Sequence, residues 1–146
     1  MCYKGRLYLV KEKEFKYNEK IKNPSDIRNF LVTNTSLACE PEEVLILINL
    51  NIDNTIINYF EVSRGAIDQT IACPREIVKR IILSNASKFV LAHNHPSGNL
   101  LLSKDDIKIY KTMKQVADLM EIELLDSIVI NQNKKFSSTR EKIEII

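Results

Sequence analysis

The chain has 146 residues, 45% apolar and 27% charged, and carries a net charge of +2 from 21 Lys and Arg against 19 Asp and Glu. Those proportions suit a single soluble globular domain (residues 1–146) that buries about two-thirds of its unfolded surface, and they argue against disorder. They also leave no electrostatic footprint for duplex DNA: most cations are interleaved with acids, as in Lys11-Glu12-Lys13-Glu14, the pattern of a solvated face.

Cys2, Cys39 and Cys73 are odd in number, far apart and free of any C-x-x-C spacing, so the sequence predicts reduced thiols rather than a disulfide framework or a thiolate zinc site. The opening MCYKGRLYLVKEKEF has no apolar signal core, and the longest apolar run, Val44–Ile48, is too short to span a bilayer. The expected location is the cytoplasm, without a membrane partner.

Residues 6–16 alternate loosely, as an N-terminal strand or extended arm within residues 1–20 would. Asn23-Pro24-Ser25-Asp26 then starts a helix, with Asn23 as cap and Pro24 at the first helical position, expected to run to about Leu37. Val44–Leu50 (VLILINL) has strand length and composition. The turn at residues 51–54 leads to a hairpin partner, Thr55–Ser63. A short strand is expected around Ile67–Ala72. Pro74 opens a helix whose Ile77, Val78, Ile81 and Ile82 recur at helical spacing. Lys88–Ala92 is a short buried strand. A helix from Ser103 to about Glu121 should carry Ile107, Tyr110, Met113, Ala117 and Met120 on one face, and Leu124–Ile130 is a further strand. Strands alternating with amphipathic helices predict an α/β fold, a mixed sheet with helices packed on it.

The only two histidines, His93 and His95, stand two positions apart at the exit of the Lys88–Ala92 strand, where i and i+2 side chains share a face. Pro96-Ser97-Gly98 turns the chain back toward the helix whose first turn holds Asp106. Two imidazoles and one carboxylate leave one tetrahedral position open, the arrangement of a catalytic zinc, which makes hydroxide available near neutral pH. Blander readings compete. A histidine is more often a core or surface residue than a ligand. Ser103-x-x-Asp106 also reads as a helix N-cap, with Leu102 stapling onto Ile107. The cap and ligand roles of Asp106 are compatible, because a first-turn carboxylate is rigidly aimed and favoured by the helix dipole.

His93-x-His95, seven residues, Ser103-x-x-Asp106 resembles the JAMM (MPN+/JAB) metalloprotease motif. HNHPSGN, with PREIVKRIILSNASKFVLA before it and IELLD after, is similar to the RadC branch of that group. The likeness covers about residues 42–140. It implies a JAB/MPN (cytidine deaminase-like) architecture, with Zn2+ held by His93, His95 and Asp106. It also implies an intermediate stabilised by Ser103, and a general acid/base glutamate on an earlier strand, assigned to Glu61 in YFEVSRG. On an extended strand Ile57, Tyr59 and Glu61 share a face. Burial would raise the Glu61 pKa and a nearby zinc would lower it. The activity implied is hydrolysis of a peptide or isopeptide bond in a protein substrate, and Asn94 is expected to serve loop hydrogen bonding.

Two departures from the family pattern stand out: Leu102 where a proline is common, after Leu100 and Leu101, and Ser127 where histidine often follows IELLD. The three leucines are expected to pack as a small lid or to offer a binding patch. The family name also raises a DNA-repair or nucleic-acid accessory role, which charge does not support, and an inactive MPN interaction module is a third alternative. A base deaminase is disfavoured by the lack of H-x-E and C-x-x-C.

Overall fold

The computed structural model describes residues 1–65 and 73–144. Five strands form one sheet: β1 (Val44–Leu50), β2 (Ile56–Arg64), β3 (Lys88–Asn94), β4 (Glu123–Ile130) and β5 (Phe136–Ser138), in the order β2-β1-β3-β4-β5. The β3–β4 pair is parallel and the other three pairs are antiparallel, so the sheet is mixed, as expected. The parallel pair needs a long crossover, and helix α3 (Lys104–Leu119) supplies it.

Helices cover both faces. Helix α1 (Pro24–Asn34) packs Ile27, Phe30 and Leu31 against Ile46, Ile48, Val90, Ala92 and Ile128. On the opposite face α2 (Pro74–Leu83) and α3 pack Ile77, Ile81, Tyr110 and Met113 against Leu45, Leu47, Phe89 and Leu91. Strands buried on two faces read as continuous apolar runs, which explains VLILINL. The alternation also fixes where the histidines point. Phe89, Leu91 and then His93 face α3, whereas Val90 and Ala92 face α1.

Several expectations are corrected by packing that only the folded chain supplies. Helix α1 stops at Asn34 rather than near Leu37, because Thr35 turns extended and both its N–H and its hydroxyl donate to the Leu31 carbonyl. A 3-10 turn, Leu37–Cys39, follows. Strand β3 runs to Asn94, so His93 lies within it. Met120 is half exposed where α3 ends, not on its buried face. No strand forms among residues 6–16. The strand expected at Ile67–Ala72 lies outside the described residues. Strand β5 and the short helix α4 (Thr139–Glu144) were not anticipated; β5 is three residues long and exists through its pairing with β4. Among the described residues no helix is long and apolar enough to cross a membrane.

Candidate metal centre

Strand β3 ends beside the N-terminus of α3, and this juxtaposition builds the site. His93 is buried on the α3 face. His95 follows the strand, its N–H held by the Ile130 carbonyl at 2.9 Å. Gly98, at φ +85°, closes the turn back to His95, and Asn131 donates to its carbonyl. A side chain at residue 98 would meet that left-handed backbone as strain.

Across the gap, Ser103 caps α3. Its hydroxyl oxygen accepts the Asp106 N–H at 3.0 Å, while Asp106 Oδ2 accepts the Ser103 N–H at 2.8 Å. This reciprocal capping box orients the Asp106 carboxylate, which is buried and turned toward the histidines.

His93 Nε2 lies 2.8 Å from Asp106 Oδ1, and His95 Nε2 lies 3.3 Å from Oδ2. The two Nε2 atoms are 3.2 Å apart. One ligand atom from each of the three residues falls within 4.8 Å of the others, a group able to hold a metal ion. The donor set fits such an ion for a further reason. His95 Nδ1 is 2.7 Å from the Asn99 carbonyl oxygen, which can only accept, so Nδ1 carries a proton and Nε2 is the atom that a second proton or a cation would occupy. That nitrogen faces a carboxylate and a second imidazole nitrogen, an arrangement that requires a proton or a cation between them.

The titration of the group reflects the same crowding. Burial pushes the Asp106 carboxyl up, but the hydrogen bonds from His93 and His95 outweigh it and hold the group well below the usual carboxylate range. His95 is raised, first by its bond to Asp106; burial opposes, and the Asn99 carbonyl and the Glu43 charge add to the rise.

The group opens onto a cavity of about 430 Å3 lined by His95, Ser103, Asp106, Leu101, Leu102 and Glu43, among others. The leucine loop is anchored at Leu100, whose carbonyl accepts from Ser137 Oγ and Lys142 Nζ. Leu101, 70% exposed, stands at the cavity rim. Ser127 is buried on β4 beside Leu91 of β3, and its N–H donates to Asp126.

The structure therefore brings together His93, His95, Ser103 and Asp106, and leaves Glu61 apart. Glu61 pairs across the sheet with Ile46, which pairs with Ala92; this row faces α1, away from His93. Its carboxylate is instead held by Arg64 in two bonds of 2.7 and 3.0 Å, and Arg64 also reaches Glu40 and Glu42. The glutamate that the structure brings to the cavity is Glu43, which the sequence reading did not single out. It immediately precedes β1, whose Leu45 pairs with His93, so the start of β1 lies beside the end of β3.

Asn94 holds that junction. Buried between the histidines, it accepts the Val44 N–H and donates to the carbonyls of Glu40 and Glu42. The Glu43 carbonyl accepts from Gly65 N–H at 2.8 Å. An acid just before a buried strand is a signal, but one that speaks only once β1 and β3 are known to pair.

Comparison with known proteins agrees with this geometry. A family model described as RadC-like JAB domain matches residues 21–144. A UPF0758 protein of Clostridium perfringens is 38% identical over 134 residues, covering 89% of this chain and 58% of the relative. One from Clostridium botulinum is 37% identical over 123 residues, 84% of this chain and 52% of the relative. One from Pseudomonas syringae pv. tomato is 32% identical over 117 residues, 80% and 51% respectively. The chain thus spans a little over half the length of these relatives. By the extent of the family match and these identities, it belongs to the RadC-like JAB domain family.

Proposed function

We propose that this chain is a zinc-dependent hydrolase of the JAMM type that cleaves a peptide or isopeptide bond, with His93, His95 and Asp106 as the metal ligands. The observation that carries the reading is the convergence of these three donors, two buried and His95 partly exposed, at a cavity that Glu43 and Ser103 also line. When bound, zinc would make hydroxide available near neutral pH and draw charge from a scissile carbonyl.

The chain's own residues supply the rest. Glu43, rather than Glu61, is the carboxylate that takes a proton from the attacking water and returns it to the departing amine, because it faces the cavity and Glu61 lies on the other side of the sheet. Ser103 has its hydroxyl oxygen engaged by the Asp106 N–H, which leaves the hydroxyl proton to donate to a developing oxyanion. Leu101 and Leu102 give the cavity an apolar wall for a neighbouring substrate side chain. The test is elemental analysis of the purified protein beside His95→Ala and Asp106→Ala. About one zinc per wild-type chain and little in either variant is expected; equal zinc in all three would reject the site.

One observation favours a second reading. Lys104, Lys108, Lys111 and Lys114 lie along the exposed side of α3, three of them at i, i+4 and i+7. Such a row suits an acidic polymer, including the nucleic acid suggested by the family's name. Binding of single- or double-stranded DNA that weakens steeply with added salt would support it, and salt-independent or absent binding would dismiss it.

A further inference from the structure

Residues 6–16 alternate loosely, as a strand would, yet the first sixteen residues form no strand. Leu7, Tyr8 and Val10 are 85, 83 and 77% exposed, and Met1 and Tyr3 are also bare. Nothing in the described chain pairs with the backbone of residues 1–20, whose nearest neighbour in the ladder of contacts, Ile21 N–H, donates to the Asn54 carbonyl. Five large apolar side chains in open water on an extended segment are costly, at roughly 25 cal/mol per Å2 of apolar surface.

The segment is moored beside a strand that lacks a neighbour. Phe15 packs on Phe30 and Tyr59 with ring centroids 5.9 and 5.7 Å apart, and Tyr17 packs edge-on against Phe30 at 5.0 Å. Tyr59 belongs to β2, the edge strand of the sheet. Nine residues long and free of proline, β2 has a neighbour on one side only among the described residues, which leaves one row of its backbone donors and acceptors without a strand partner there, the kind of edge that folded proteins cover or disarm.

We infer that the arm of residues 1–14 is an exchanged strand, which pairs with the free edge of β2 in a second copy of this chain while that copy's arm pairs in return. Three observations select a second copy as the occupant. Reciprocity is met, since among the described residues each copy carries both an unpaired arm and an edge of β2 with no strand beside it, and a two-fold axis satisfies both at once. Charge agrees. The arm holds Lys4, Arg6, Lys11 and Lys13 against Glu12 and Glu14, while the end of β2 gathers Glu40, Glu42 and Glu61 around Arg64. Size also agrees. Two arms of about ten residues, each bringing two tyrosines and several aliphatic side chains, reach the roughly 1,200–2,000 Å2 of total buried surface that stable interfaces need. The inference is independent of the metal centre, because the arm contacts the α1 face of the sheet and the histidines lie on the other.

Light scattering of the 146-residue chain at about 50 µM tests it, alongside the double variant Leu7→Lys/Val10→Lys. Both substituted side chains are exposed, so the fold of each copy should persist, checked by circular dichroism and thermal melting. The wild type should show twice its 16.8 kDa mass and the variant the single mass. Amide exchange in residues 6–11 should be slowed at least tenfold in the wild type and return to the free rate on dilution to the monomer or in the variant. A wild-type monomer at this concentration overturns the inference, as does a dimer that survives the double substitution with residues 6–11 exchanging freely.

Discussion

The side-chain carbonyl of Asn94 accepts the Val44 N–H at 2.7 Å, so the residue between the two histidines also holds the start of the strand that Glu43 immediately precedes. Its amide completes the clamp through the carbonyls of Glu40 and Glu42 at 3.2 and 2.9 Å. Replacing Asn94 by alanine should therefore separate two properties. Loss of buried partners should cost about 1–3 kcal/mol of stability. Zinc content should stay near one per chain, since no donor atom is removed, while turnover falls about 100-fold as Glu43 loses its placement. Metal analysis and single-turnover rates on the same preparation check this; parallel loss of metal and rate would make Asn94 a support of the ligands instead.

The two glutamates can be told apart by charge removal without change of shape. Glu43→Gln should keep its metal and lose hydrolysis by 100-fold or more, in the range of a lost general base. Glu61→Gln breaks an exposed pairing with Arg64 and should leave turnover within about twofold of the wild type. Rates on a peptide or isopeptide substrate decide it, and the reverse ranking would return the role to Glu61.

In metal-free protein, His95 and Asp106 should make stability depend on pH in a defined window. The depressed Asp106 pKa adds stability above the ordinary carboxylate range of about 4 and loses it as pH falls through the folded value. The raised His95 pKa adds stability that is complete below about 6.5 and is lost as pH rises through its folded value. Metal-free protein should accordingly melt higher at pH 5.5 than at pH 8, and Asp106→Asn should flatten that difference. Zinc affinity should move the other way, rising with pH as the proton leaves His95. Calorimetry with and without chelator reads both trends, and a metal-free melting temperature that climbs from pH 5.5 to 8 would contradict the first.

A second buried carboxylate serves the fold rather than the site. Asp126 accepts from Ser138 Oγ, from Ser127 N–H at 2.7 Å and from Arg140 N–H at 3.0 Å, tying β4 to β5 and the start of α4. Burial raises its pKa against these bonds. Asp126→Ala would remove the acceptor from three donors, two of them on buried residues, and should destabilise by about 2–4 kcal/mol with zinc content unchanged. Denaturant titration measures the loss; a change below about 1 kcal/mol would mean that water replaces the carboxylate.

What the sequence by itself determined was local. Its spacing placed His93 and His95 on one face, its capping signal put Asp106 in the first turn of α3, and its apolar runs marked β1, β3 and β4. These follow from helix and strand periodicity, which a short window of residues expresses in full. Glu43 was not legible, because its nearness to His95 comes from the antiparallel pairing of β1 with β3, strands more than thirty residues apart. Glu61 shows the same limit: period-two alternation assigns it a face, but only the register with Ile46 and Ala92 reveals that the face is α1's. Strand β5 and the unpaired arm make the point again, since a strand is defined by a partner, and partners belong to the tertiary structure.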